Sequence, residues 1–422
     1  MLISGIFLFL RAFATGVTIY GVGLVISLVM DIPFWAAVLL LGSVTVVYDM
    51  LGGMKAVIIS DVIQVVILLG AILAAAFMAF HMNGGWADTV EALGESRMRA
   101  LDFKEWGLDF SSDGRTPTNY GFWPMFIGGF FLYLAYYGCD QTQAQRSLST
   151  RSVDDTNRAL FLGGILRFPL VLSYCLLGVG IGAYAMKNPH FTEGLVNASG
   201  ETRIDLAVPT FILENFPHGM IGLVMIGLFA AAMSSLDSTI NSMSAVTMHD
   251  YVLRFWGKNL SEKAELYLSK ATTFFWGALA IVFSFFVGDI AQTVIVAVNK
   301  IGSVVNGPIL AVFLMGMLSR RINAPGVMTG FLIGLALNTL LWFFCPGVSW
   351  LWWNLFGMVA AVVGGFAVSY VTRPPKPEQL EGNLASYACR NPGNLKGEKK
   401  WHWYYAVLTA YGVGMLVLLW NL

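Results

Sequence analysis

The sequence predicts an all-α, polytopic membrane bundle of about 11 transmembrane helices, on three observations. Apolar residues make up 57% of the chain and charged residues only 12%, about half the roughly 25% charged residues of soluble domains. Apolar runs near or above the ~20 residues that cross a bilayer recur along the whole length. A soluble protein has no interior large enough to hide so many helices that are apolar on every face.

The elements follow in order. The run 3–30 is too long for a cleaved signal peptide and has no cleavage motif. Runs 33–50 and 56–82 flank Gly52-Gly53-Met54-Lys55, whose two glycines predict a turn, and the second run carries Asp61. Segment 83–120 is a long connection in which GWADTVEALGE predicts a surface helix. Further spans are expected at 121–144, 158–186, 212–248, 267–287, 291–318, 323–345, 349–371 and 402–421. Prolines, glycines and charges across 372–400 predict an irregular linker rather than a packed segment.

Basic residues concentrate in alternate connections: Lys55, the stretch from Arg146 to Arg158, that from Arg254 to Lys270, Arg320-Arg321, and Arg373 to Lys400. By the positive-inside bias these face the cytoplasm. A multi-pass plasma (inner) membrane protein is therefore expected, with a cytoplasmic N-terminus and linker. The segments 83–120 and 187–210 and the C-terminus would be external. A formal net charge of zero gives no sign of nucleic acid as a partner. Cys139, Cys175, Cys345 and Cys389 lie far apart, with neither disulfide-framework nor zinc spacing. No G-x-S-x-G, H-E-x-x-H or Walker pattern stands at a plausible site. The expectation is a non-enzyme without cofactor. The triplet Asn197-Ala198-Ser199 fits an N-glycosylation sequon on an outer loop, a pattern that also arises by chance.

Three blocks carry a resemblance. Gly52, Gly53, Ala56, Val57, Asp61 and Gln64 lie within YDMLGGMKAVIISDVIQ; CDQTQAQRSLSTRS begins at Cys139; GLFAAAMSSLDSTINSMSAVTMHDYV begins at Gly227. In this order, and with NGPILAVFLMGMLSRR from Asn306, they resemble the sodium:solute symporter family over about residues 1–320. The resemblance implies the inverted-repeat fold of the leucine transporter. Residues 1–82 would match core helices three to five, 121–320 core helices six to ten, and 321–422 peripheral helices. Nothing before Met1 corresponds to the first two core helices, so the first repeat is expected to be truncated. The discontinuous first core helix would otherwise supply part of the cation site.

Asp61 lies on the order of 9 Å into its helix. It reads either as an interfacial acid favoured by the helix dipole or as a cation ligand facing the bundle interior. Ser234, Ser238 and Ser242 share one helical face, which suits either close packing or a hydroxyl-lined cation wall. The resemblance assigns Ala231, Ser234 and Ser235 to one sodium site, and Asp61 with Ser234 and Ser238 to a second. Asp237 stands there in place of a serine, which puts the second site in doubt or makes it unusually acidic; it could equally pair with a basic residue. Tyr136 takes the place of an inner gating tyrosine, or is an interfacial aromatic, and Asp140 closes the same span. Arg167 lies roughly 15 Å into its span; its guanidinium fork either pairs with Asp140 or Asp237 or receives an acidic solute. Asn299 and Lys300 replace the polar pair that sugar carriers place on the tenth core helix. Arg11 reads as snorkelling to the surface.

The expected function is sodium-coupled import of a small polar organic solute by alternating access, leaning to a carboxylate-bearing solute. The alternatives are a sugar or polyol symporter, a non-transporting remnant, or a sensor-type membrane domain. The expected partners are Na⁺, the solute and the lipid bilayer.

Overall fold

A computed structural model describes residues 1–110, 121–196, 200, 202–256, 260–287, 294–380 and 398–420. The sequon at 197–199 and most of the 372–400 linker lie outside the described residues. Among the described residues the chain is helical, and ten helices are long and apolar enough to cross a membrane. The fourth expected span is shorter than predicted. Its apolar helix covers Pro124–Cys139, because Asp140 breaks the helix and caps the next one. The surface helix expected in the first long connection forms at Trp86–Leu93.

The chain divides into two compact units. The first comprises Met1–Arg99 and Gly163–Val298. Its main helices are α1 (Leu2–Met30), α2 (Phe34–Met82), most of α5 (Val153–Lys187), α6 (Ala207–Asn215), α7 (His218–Thr247) and α8 (Glu262–Ser284). The second comprises Ala100–Leu162 and Asn299–Leu422. It holds α3 (Gly129–Cys139, entered by a π-turn at Pro124–Gly128), α4 (Gln141–Leu148), most of α9 (Val294–Leu318), α10 (Ala324–Phe344), α11 (Trp350–Val371) and α12 (Glu398–Trp420).

In the first unit, α1 ends where Asp31 takes a left-handed conformation (φ 52°) and Pro33 resets the chain. The turn expected at Gly52–Lys55 is not a loop: the backbone stays helical through it. Glycine weakens a helix without stopping it, and no proline stands there to remove a backbone donor. The direction of the chain nevertheless reverses. Leu41 packs in the layer that holds Leu236, Val46 in the layer of Ile240 and Met243, and Asp49 meets Asn241. This half of α2 therefore follows α7 in the same sense. Past the reversal the order inverts: Ile67, Leu68 and Ala71 lie against Gly227, and Ala75, Ala76 and Ala79 pack in the layer of Val224 and Phe216. Gly227 permits the approach, since a Cβ there would already rest 3.4–3.6 Å from those three residues. The end of α2 is pinned to α5, with Asn83 Nδ2 donating to the Gly180 carbonyl (2.8 Å) and Lys187 Nζ to the Asn83 carbonyl (2.7 Å).

The second unit is built on small residues. Gly326, Gly330 and Gly334 recur every fourth residue on α10 and meet Gly357, Ala361 and Gly365 of α11, a small-xxx-small seam that lets backbones touch. A Cβ on Gly330 would strike the Ala361 carbonyl, and one on Gly334 the Gly357 carbonyl. Asn323 caps α10, its Oδ1 accepting from Gly326 N–H (2.9 Å), and Ser349 caps α11. Pro308 inside α9 has no N–H, so the carbonyl of Val304, four residues earlier, loses its helical partner. Asn338 Nδ2 takes that place at 2.9 Å. Trp401 of α12 donates to Asp154 Oδ1 (2.8 Å), anchoring the last helix.

Candidate functional site

The site is built on α7. Small residues Gly227 and Ala231, then Ser234, Asp237, Ser238, Asn241 and Ser242, fall on one arc of this helix at i, i+3 and i+4 spacing. The hydroxyls turn back onto their own helix: Ser235 Oγ donates to the Ala231 carbonyl (3.3 Å), Ser238 Oγ to the Ser234 carbonyl (3.0 Å) and Ser242 Oγ to the Thr239 carbonyl (2.9 Å). Back-bonding of this kind uses the hydroxyl hydrogen and leaves oxygen lone pairs outward. Oxygen lone pairs are what a hard cation requires. Ser238 is buried, Ala231 and Ser234 are half-buried, and Ser235 is exposed.

Three carboxyl groups gather against this face. Asp237 is fully buried, and neither of its oxygens has a hydrogen-bond partner. Asp49 is 4% exposed; its Oδ1 accepts from Asn241 Nδ2 at 3.1 Å, while its Oδ2 has no hydrogen-bond partner. Asp49 and Asp61 both act electrostatically on Asp237. The reversal of α2 explains the gathering: Asp49 precedes it and Asp61 follows it, so two acids twelve positions apart return to the same stretch of α7. Among the described residues, no three His, Cys, Asp or Glu side chains converge as a metal-chelating set. The acids are neighbours, and a cation held among them would draw further oxygens from hydroxyls and carbonyls.

The remaining expected residues fall elsewhere. Tyr136 on α3 is half-buried, and its hydroxyl accepts from Gln143 Nε2 at 2.8 Å. Asp140 Oδ1 accepts from Thr142 N–H at 2.8 Å and so caps α4. Asn299 lies in the first third of α9, half-buried. These three belong to the second unit, whereas Arg167, on α5, belongs to the first and acts electrostatically on Tyr174 two turns along. Asp61 and Asp237, the acid on the serine-bearing helix, are thus electrostatic neighbours within one unit. The sequence reading missed Asp49 and Asn241. An acid inside the apolar window Phe34–Gly52 was the available signal.

The comparisons with known proteins agree with one another. The model of the sodium:solute symporter family matches residues 1–334. The sodium-dependent multivitamin transporter of Oryctolagus cuniculus is 30% identical over 333 residues, 78% of this chain and 50% of its own. The sodium/iodide cotransporter of Homo sapiens is 28% identical over 78% of this chain and 49% of its own. A sodium/sialic acid symporter of Aliivibrio fischeri is 27% identical over 82% and 65% respectively. The chain thus spans about half the length of the first two of these curated relatives. A solved structure of a Na⁺-coupled sialic acid symporter, substrate-bound and outward-open, has a TM-score of 0.75 at 22% identity, covering 89% of this chain and 74% of that one. That likeness establishes the fold, a leucine-transporter-like helical bundle. With the helical architecture and the family match over most of its length, this chain belongs to the sodium:solute symporter family.

Proposed function

We propose that this protein is a sodium-coupled symporter that imports a small polar, carboxylate-bearing organic solute by alternating access. The observation that carries the reading is Asp237: a fully buried acid with two unpartnered oxygens, flanked by Asp49 and Asp61 and set in a row of serine hydroxyls. An ionised carboxyl group without a counter-charge is costly in a membrane interior. Sodium is the neutralising species suited to this set, being a hard cation with oxygen ligands. Ala231, Ser234, Ser235, Ser238 and Asp61 are its proposed ligands. Tyr136, Asp140, Arg167 and Asn299 are the proposed substrate and gating residues, and Arg167 favours an acid group on the solute.

Sodium bound on α7 would favour one access state and raise affinity for the solute in it, so the inward sodium gradient drives both across. The relatives named above are sodium-dependent carriers of vitamins, iodide and sialic acid, which supports sodium as the coupling ion here. The proposal includes a plasma-membrane location with a cytoplasmic N-terminus, an external C-terminus, and no catalytic activity, cofactor or nucleic-acid partner. The repeat correspondence, 1–82 with core helices three to five and 121–320 with six to ten, is part of the same reading. Uptake into proteoliposomes under an inward sodium gradient tests it. Uptake of a carboxylate solute that collapses when choline replaces sodium is the expected result, and uptake indifferent to that replacement overturns it.

A further inference from the structure

The second unit contains a set of hydrogen-bond donors with nothing to accept them. Asn338 of α10 reaches the carbonyls of Ser303 and Val304 on α9. One turn farther along both antiparallel helices, Lys300 meets Trp342. Its Nζ lies 5.0 Å from the Trp342 ring centroid and 5.8 Å from that of Trp353 on α11. The two indoles stack 5.7 Å apart with a 28° interplanar angle. Trp353 is 1% exposed and its Nε1–H has no acceptor; Trp350, one turn earlier on the same face of α11, is 7% exposed and its Nε1–H likewise has none. Lys300 is half-buried, and among the described residues no carboxylate stands within ion-pair distance of it.

Ring faces hold an ammonium by attraction to their π-electrons, but they accept none of its three N–H bonds in the plane where a strong acceptor would sit. A lysine merely anchored at a membrane interface needs only the rings and would leave no reason for a buried indole N–H to go unpaired. Buried donors without acceptors are uncommon in folded proteins, and each one calls for an explanation. An ammonium and an indole N–H on adjoining rings form a donor-only set, and its complement is an anion with two or more oxygens.

We propose that Lys300, with the indole N–H of Trp353, binds the carboxylate of the transported solute. This rests on the symport reading and adds to Arg167 a second group, Lys300, as the one that sets the preference for the solute's charge. The rings of Trp342 and Trp353 beside the half-buried ammonium replace part of its water shell with low-dielectric surface, which strengthens its attraction for an anion and gives a neutral analogue less to gain.

The test uses the purified full chain at fixed sodium and chloride, with three acids (lactate, pyruvate and benzoate) each compared with its amide by equilibrium binding. Wild type is expected to bind at least one acid about tenfold more tightly than its amide, the scale of a charge-assisted contact. Lys300→Met and Trp353→Phe, the latter keeping the ring without its N–H, should erase that preference, while Lys300→Arg should retain it. If Lys300→Met fails to fold, the Trp353→Phe and Lys300→Arg pair decides. No preference for any acid in wild type, or a preference surviving both Lys300→Met and Trp353→Phe, overturns the proposal. A sodium-induced rise in thermal stability, measured in parallel, separates the two readings. Its presence without acid preference leaves symport standing and removes this site; acid preference without any sodium effect keeps this site and removes sodium coupling.

Discussion

Asn241 of α7 donates its side-chain N–H to Asp49 of α2 across 3.1 Å, joining two residues 192 positions apart in the sequence. The bond fixes a carboxyl group beside Asp237 at the point where α2 reverses direction. It also sets the charge density of the whole cluster, because Asn241 contributes a donor without a positive charge.

Asp237→Asn should therefore stabilise the sodium-free protein and weaken its response to sodium. Removing this buried acid removes the cost of burying its charge, the larger contribution, and with it the like-charge repulsion from Asp49 and Asp61. Thermal unfolding in choline and in sodium checks this: the melting temperature should rise in choline, and the gap between the two conditions should narrow.

Asn241→Leu should act in the opposite sense on the fold. It leaves the Asp49 oxygen buried without its donor, a loss of about 1–3 kcal/mol. Denaturation in a mild detergent gradient measures it, and Asn241→Gln, which keeps a donor, should be less damaging.

Asn338→Leu should be rescued by Pro308→Ala. The single change strands the Val304 carbonyl at a cost of about 1–3 kcal/mol, and alanine at 308 restores the backbone N–H that proline lacks. A double-mutant cycle on unfolding should give a coupling well above the few tenths of a kcal/mol expected for independent sites.

Gly330→Leu should disrupt the α10–α11 pair. Its side chain would enter the Ala361 carbonyl, and overpacking of this sort costs roughly 1–3 kcal/mol or more. Loss of a monodisperse peak in size-exclusion chromatography is the expected outcome. Gly316→Ala, on α9 with open space at its Cβ, serves as the tolerated control.

Most of the bundle was legible from sequence because a bilayer demands long apolar helices, and such runs need no tertiary information to be seen. Boundaries set by a single polar residue were less so: Asp140 looked like the last residue of a span or a gating group, and its capping bond to Thr142 becomes visible only with the backbone in place. The reversal at Gly52–Lys55 was legible from its two glycines, but the persistence of helical backbone through it was not, since glycines signal a turn whether or not helical hydrogen bonding continues. The serine face was readable from its spacing alone. The acid cluster was not, because Asp49 and Asp61 lie on opposite sides of a reversal, and only packing on α7 returns both to Asp237. Likewise nothing local links Pro308 to Asn338 or Lys300 to Trp353.

Direct binding of radioactive sodium to the purified chain separates the sodium reading from its alternatives. Wild type should bind sodium saturably, and Asp61→Asn combined with Ser238→Ala should lower that affinity about tenfold or more while leaving the folded fraction unchanged. Equal sodium affinity in wild type and in the doubly substituted protein would contradict a cation site shared by α2 and α7.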